Sequence, residues 1–229
     1  MPPVSSEGGT SMSQLQAVLF DMDGLLVDTE PLWFDVELEV MAKLGGEWTQ
    51  ADQSAVLGSP SAMAARYMIQ RSGADTDPAE VVRWMDDGIV RRVREQVTIL
   101  PGAVALLGDL HAAGVPCGLV SASVRPMVDA VLARVGAAHF AVTISGDDVS
   151  RNKPDPEPYL KAIAALGGDP SRCVVLEDSP NGVAAGLAAG CQVVAVPHAA
   201  TIQPAERLRV VESLAEVSAK SLEALVGGR

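Results

Sequence analysis

The sequence predicts an α/β fold: a doubly wound parallel sheet with an all-helical segment inserted near its start. Three observations predict it. After about position 100, short apolar runs alternate with helical patterns that each stop at a glycine. Those runs carry few charges, as strands buried on both faces do. Between 31 and 98 the pattern is helical, with no convincing strand.

In chain order, "MPPVSSEGGTSMSQLQ" has neither a basic region nor an apolar run, so 1–14 reads as a flexible leader and not a signal peptide. Gln16–Phe20 is a short buried strand. The core is assigned to 15–30 and 97–229, and the helical insert to 31–96. Within the insert Trp33, Val36, Val40, Met41 and Leu44 make one helical stripe, with Gly45 placed to end it. Val81, Met85, Ile89 and Val93 recur four apart in a second helix. A helix near 103–113 then stops at Gly114, and "PCGLVSAS" holds the next strand. Further helices end at Gly136, Gly167 and Gly190, followed by strands in "HFAVTISGDD", "RCVVLEDS" and "CQVVAVP".

Composition excludes several classes. Lys and Arg number 17 against 29 Asp and Glu, a net charge of −12, which argues against nucleic acid or an anionic membrane as partner. No run of 18 apolar residues exists to span a bilayer. Cys117, Cys173 and Cys191 are far apart and show no metal-ligand spacing. They read as buried free thiols in a reducing, cytoplasmic setting. A monomer is expected.

Ligands of open parallel sheets bind at the carboxyl ends of the strands. There this chain places Asp21 and Asp23, then Ser121, then Glu177 and Asp178, with Lys153 in the loop "SRNKPDPEPY". Singly, each is an ordinary turn, cap or solvated residue. Jointly they describe a site for Mg²⁺ and a phosphoryl group. Carboxylates are hard oxygen ligands suited to Mg²⁺. A lysine supplies a point charge for phosphate and a hydroxyl donates to its oxygens.

These residues also carry a resemblance. "DMDGLLVDTEP", the serine of "VSAS", the lysine of "NKPDP" and the acids of "LEDSPNG" resemble the four ordered signatures of the haloacid dehalogenase superfamily. The resemblance implies a Rossmann-like core with a helical cap over about 31–96. Within the superfamily the chain resembles the beta-phosphoglucomutase and sugar-phosphate phosphatase group, and most closely the 2-deoxyglucose-6-phosphate phosphatase-like hydrolases. It implies that Asp21 is the nucleophile and Asp23 the general acid and base. Mg²⁺ would be held by Asp21, the carbonyl of Asp23 and Asp178, with Glu177 either a direct ligand or a holder of metal-bound waters. Ser121 and Lys153, with backbone N–H groups near Gly24 and Ala122, would bind the phosphoryl oxygens. Closure of the cap through 28–31 and 96–101 would exclude bulk water.

The rivals differ in their residues. Dehalogenases and phosphonatases depart at the position of Asp23, and the insert's lone lysine, Lys43, reads as a solvated charge. Mutases would carry other residues where this chain has Trp33, Ser61 and Arg125, so a single-phosphate hydrolase is the better reading. A binding protein without turnover has no reason to keep both Asp21 and Asp23. Glu30, Trp33 and Arg125 are candidate substrate contacts, each with a structural alternative: helix cap, insert core and helix start. Aromatic residues make up 3%, little stacking surface for a nucleobase, which favours a small phosphate ester, above all a sugar phosphate.

Overall fold

A computed structural model of the chain describes residues 15–56, 59–197 and 201–227; the 1–14 leader lies outside the described residues. β1 (Ala17–Phe20) runs through the middle of a parallel sheet. To one side lie β4 (Cys117–Val120) and β5 (Val142–Ile144); to the other lie β6 (Cys173–Glu177), β7 (Gln192–Ala195) and β8 (Leu208–Val210). The order is β5-β4-β1-β6-β7-β8, and every neighbouring pair is parallel. This is the Rossmann-like arrangement expected. The chain builds outward from β1 in one direction, then returns to build outward in the other. That reversal opens a crevice at the carboxyl ends beside β1.

Side chains alternate across β1, so two apolar layers form. Val18 and Phe20 face a cluster with α5 (Ala103–Ala112), α6 (Arg125–Val135) and α9 (Ala219–Gly227). Ala17 and Leu19 face another with α7 (Glu157–Leu166) and α8 (Pro180–Ala188). Burial on both faces explains why the strands read as unbroken apolar runs. All three cysteines are buried and free. No described helix is long and apolar enough to cross a membrane.

Between β1 and α5 the chain leaves the sheet. β2 (Val27–Asp28) and β3 (Thr98–Ile99) pair antiparallel, Val27 with Ile99 and Asp28 with Thr98. They enclose α1 (Glu30–Lys43), α2 (Gln50–Val56), α3 (Ser61–Ser72) and α4 (Pro78–Glu95). Val81, Met85, Ile89 and Val93 are buried as their spacing predicts, and so are Val36, Val40, Met41 and Leu44. Trp33 differs: it is half-buried, and Leu32 takes the inner position in its turn. Glu37 is also buried in this segment, accepting from Trp48 Nε1 at 3.0 Å.

Three further features differ from the sequence expectation. The two-residue β2–β3 ribbon is too short to leave a periodic signal, and β8 carries an arginine and exposed positions. The span between α1 and α4 resolves into α2 and α3, whose buried positions include polar Asp52 and Gln53, so no apolar stripe marks α2.

Candidate active site

The ladder of the sheet places the acids. Asp21 N donates to Leu176 O at 3.0 Å, extending the pairing of β1 with β6 by one residue past the strand. Ser121 N likewise donates to Ile144 O at 2.9 Å beyond β4. Glu177 closes β6, and its carbonyl accepts from Val196 N at 2.7 Å. Ser121, Asp21 and Glu177–Asp178 therefore stand at the ends of three adjacent strands. After Asp23 the backbone must turn sharply, and Gly24 does so at φ +79°. A Cβ there would lie 2.2 Å from Asp178 Oδ2, so only glycine lets the acids approach this closely.

Lys153 reaches into the cluster from the loop before α7, with its side chain 6% exposed. Its ammonium donates to Asp21 Oδ1, to Glu177 Oε1 at 2.7 Å and to Val120 O at 2.9 Å. Glu177 is wholly buried and accepts on both oxygens. Tyr159 Oη donates to Oε1 at 2.7 Å. Oε2 takes Asp178 N at 3.0 Å, Ser179 N at 3.2 Å and Ser179 Oγ at 3.0 Å.

Asp23 lies in different company. Thr29 Oγ1 donates to its Oδ1 at 2.7 Å. Ser123 Oγ donates to its Oδ2 at 2.9 Å, and Ser121 Oγ to the same oxygen at 3.4 Å. Ser121 Oγ itself accepts from Ser123 N at 3.0 Å, tightening the loop. Thr29, Ser123 and Tyr159 were not picked out in the sequence. A hydroxyl that meets an acid only through tertiary folding leaves no local mark.

These surroundings set the charges. Burial pushes Asp21 up to about 8, against the pull of Lys153 and with a further push from Glu177 and Asp23. Burial, then the charges of Asp21 and Glu177, push Asp178 up to about 9. Burial also raises Asp23, opposed by the hydrogen bonds from Thr29 and Ser123. Burial works against an ionised Glu177 as well, yet Lys153 and its donors hold it below the ordinary glutamate range. Burial opposes the charge on Lys153 too, and Asp21 and Glu177 outweigh it, so the ammonium stays protonated. One ammonium serves four carboxyls, and the site has room for further positive charge.

The remaining candidates lie around this centre. Ala122 is on the Ser121 loop, its carbonyl accepting from Asn152 Nδ2 at 3.3 Å. Glu30 opens α1, its N–H donating to Asp28 Oδ1 at 3.2 Å, so Asp28 orders the turn into the helices. Arg125 opens α6, and its guanidinium is taken up by Asp148 and by Thr143 Oγ1 at 3.0 Å. Its N–H donates to Asp147 Oδ2 at 2.7 Å. That arrangement favours the structural alternative for Arg125 over a substrate contact. Ser61 Oγ donates to Asp86 Oδ1 at 3.4 Å, between α3 and α4.

Asp21, Glu177 and Asp178 each offer an oxygen within 4.8 Å of the others. An all-oxygen, partly buried set with excess negative charge fits a hard divalent cation.

Comparisons with known proteins agree with this geometry. A family model described as haloacid dehalogenase-like hydrolase matches residues 15–190. Hexitol phosphatase A of Escherichia coli (strain K12) is 37% identical over 179 residues, covering 78% of this chain and 81% of the relative. Hexitol phosphatase B of the same strain is 35% identical over 216 residues, covering 91% and 97%. CbbY from Rhodobacter sphaeroides, solved in complex with phosphate, superposes with a TM-score of 0.78 at 27% identity, covering 88% of this chain and 96% of that one.

Proposed function

The chain belongs to the haloacid dehalogenase-like hydrolases and is a phosphoric monoester hydrolase; from that premise we propose a Mg²⁺-dependent phosphatase of sugar or hexitol monophosphates that works through an aspartyl-phosphate. One observation carries the reading. Two acids two residues apart are held in contrasting environments, Asp21 against the ammonium of Lys153 and Asp23 among three hydroxyls. Contrasting surroundings divide two carboxyls into two roles.

Asp21, beside a permanent positive charge, is the group to attack phosphorus. Asp23, bonded to three hydroxyls and not to the Lys153 ammonium, is the group to give the leaving alkoxide its proton. After the alkoxide departs, the same carboxylate takes a proton from the water that cleaves the aspartyl-phosphate. Ser121 and Lys153 donate to the phosphoryl oxygens as charge spreads over them. Asp21, the carbonyl of Asp23 and Asp178 would hold Mg²⁺, with Glu177 beside them. When bound, the ion supplies positive charge to the phosphoryl oxygens. The leaving group would lie towards the helical segment 31–96, our proposed cap, with Trp33 inside it and Glu30 at its start as the candidate contacts.

The commitment of Arg125 to Asp148 and Thr143, and of Ser61 to Asp86, supports a hydrolase over a mutase, because a second phosphate needs cations of its own. The test is phosphate release with Mg²⁺ across hexitol, sugar and other small monophosphates and nucleotides, beside Asp21→Asn. Turnover of one or a few polyol monoesters, lost in the variant and with EDTA, supports the reading. Consumption of beta-glucose 1-phosphate without phosphate release would overturn it in favour of a mutase.

A further inference from the structure

Tyr159 has no part in the reaction as drawn above, yet it is the bulkiest of the fully buried side chains described. It sits in the aliphatic layer of α7 and α8, among Leu19, Val120, Ile163 and Val175. A phenylalanine would fill the same space. A hydroxyl in such surroundings is unfavourable unless it is bonded. Here it donates to Glu177 Oε1, the oxygen that also accepts from Lys153, and the Tyr159 ring lies 5.0 Å from the Lys153 ammonium.

The count of donors on Lys153 matters next. An ammonium has three N–H groups, and all three are engaged, by Asp21, Glu177 and Val120. A phosphoryl oxygen can be bound only if one of these bonds is exchanged. Glu177 cannot follow the lysine. Its other oxygen is fixed by Asp178, Ser179 and the Ser179 hydroxyl, and Gly182 packs against it so closely that a Cβ there would lie 1.7 Å from Oε1. If Nζ turned away, Oε1 would be a buried anionic oxygen without that donor. The tyrosine hydroxyl is the donor that stays.

We propose that Tyr159 is a positioning residue for phosphoryl transfer: its hydroxyl keeps Glu177 satisfied and in place while Lys153 re-aims an N–H at the phosphoryl group. The ring gives the ammonium a second favourable face during that movement. The proposal rests on the phosphatase reading, and its test separates the two.

Tyr159→Phe removes only the oxygen. Two readouts are taken: kcat and KM on the best monoester, and calorimetric binding of fluoroaluminate with Mg²⁺, a mimic of the transferring phosphoryl group that needs no turnover. The expected result is a fall of roughly tenfold in kcat and in fluoroaluminate affinity, the lower end for groups that support a site at one remove. KM should move by less than about threefold, since the loss falls on the transition state. A double-mutant cycle guards against a general effect on folding. In an E177Q background, adding Tyr159→Phe should weaken fluoroaluminate binding no further. Additive losses in the cycle, or kcat and fluoroaluminate binding unchanged by Tyr159→Phe, would overturn the proposal and leave the hydroxyl a packing detail. If the wild-type protein turned over no ester but Tyr159→Phe still weakened fluoroaluminate binding, the positioning role would stand and the phosphatase reading would fall.

Discussion

Asp21 and Asp23 share a turn of backbone yet are not interchangeable. Asp23→Asn keeps the shape but has no acidic proton to give and only one accepting oxygen for the hydroxyls, so kcat should fall by roughly 10² to 10⁴, the range for general acid–base groups. Asp21→Asn removes the proposed nucleophile and should leave no measurable phosphate release. A comparison of the two on one monoester checks both. The acids were legible because they directly follow an apolar strand, and Lys153 because it stands in a distinctive proline-rich loop. Thr29, Ser123 and Tyr159 were not, since each meets its carboxylate across a fold-dependent gap. Glu37 makes a separate prediction. Burial pushes it up to about 7, partly opposed by the Trp48 hydrogen bond. The unfolded chain releases this proton near the ordinary glutamate value of 4.5, while the folded protein keeps it to about 7. The folded state therefore binds more protons in that window. Stability contributed by Glu37 is full below the lower value, falls as pH rises through the window and is gone above it. Melting temperature against pH should show this slope, and Glu37→Gln should flatten it.

At the scale of elements, the turn after β1 is the most constrained piece. Gly24→Ala meets two obstacles, a left-handed φ of +79° and a Cβ 2.2 Å from Asp178 Oδ2. The backbone alone should cost about 1–2 kcal/mol, measurable by denaturant unfolding. Asp178 must also move, so the Mg²⁺ needed for half-maximal activity should rise several-fold, roughly the effect of disturbing a ligand's support. Strands β1 and β4 to β7 were legible as short apolar runs, and helices α5 to α8 because each stops at a glycine; β8, with its arginine and exposed positions, and α9 were not. The β2–β3 ribbon was not, because two residues per strand define no period. Its pairing explains why the helices leave and rejoin the sheet at neighbouring points.

Across the whole molecule, one apolar cluster runs from the α5–α6–α9 layer through residues of α1, α3 and α4. Charge is less evenly balanced, with a net −12 and several of the acids concentrated at the crevice. Mg²⁺ should therefore raise the melting temperature, since a ligand that binds only the folded state stabilises it. Asp178→Asn should largely abolish that rise, and a scan with and without EDTA decides it. If the helical segment closes over the crevice, Trp33, half-buried near the start of α1, should become less accessible to a soluble quencher when fluoroaluminate and Mg²⁺ are added. Unchanged quenching would count against closure.

The paired crossings have a meaning for inheritance and engineering. Because Val27 faces Ile99 and Asp28 faces Thr98, everything between them is a cassette whose two ends already touch. Excising it would strip cover from the shared apolar cluster, but exchanging it for the equivalent stretch of a relative would not. Such a chimera should still cleave a generic aryl phosphate, while its preference among sugar esters follows the donor. The ribbon would then be a seam at which leaving-group choice is grafted onto an unchanged phosphoryl-transfer core.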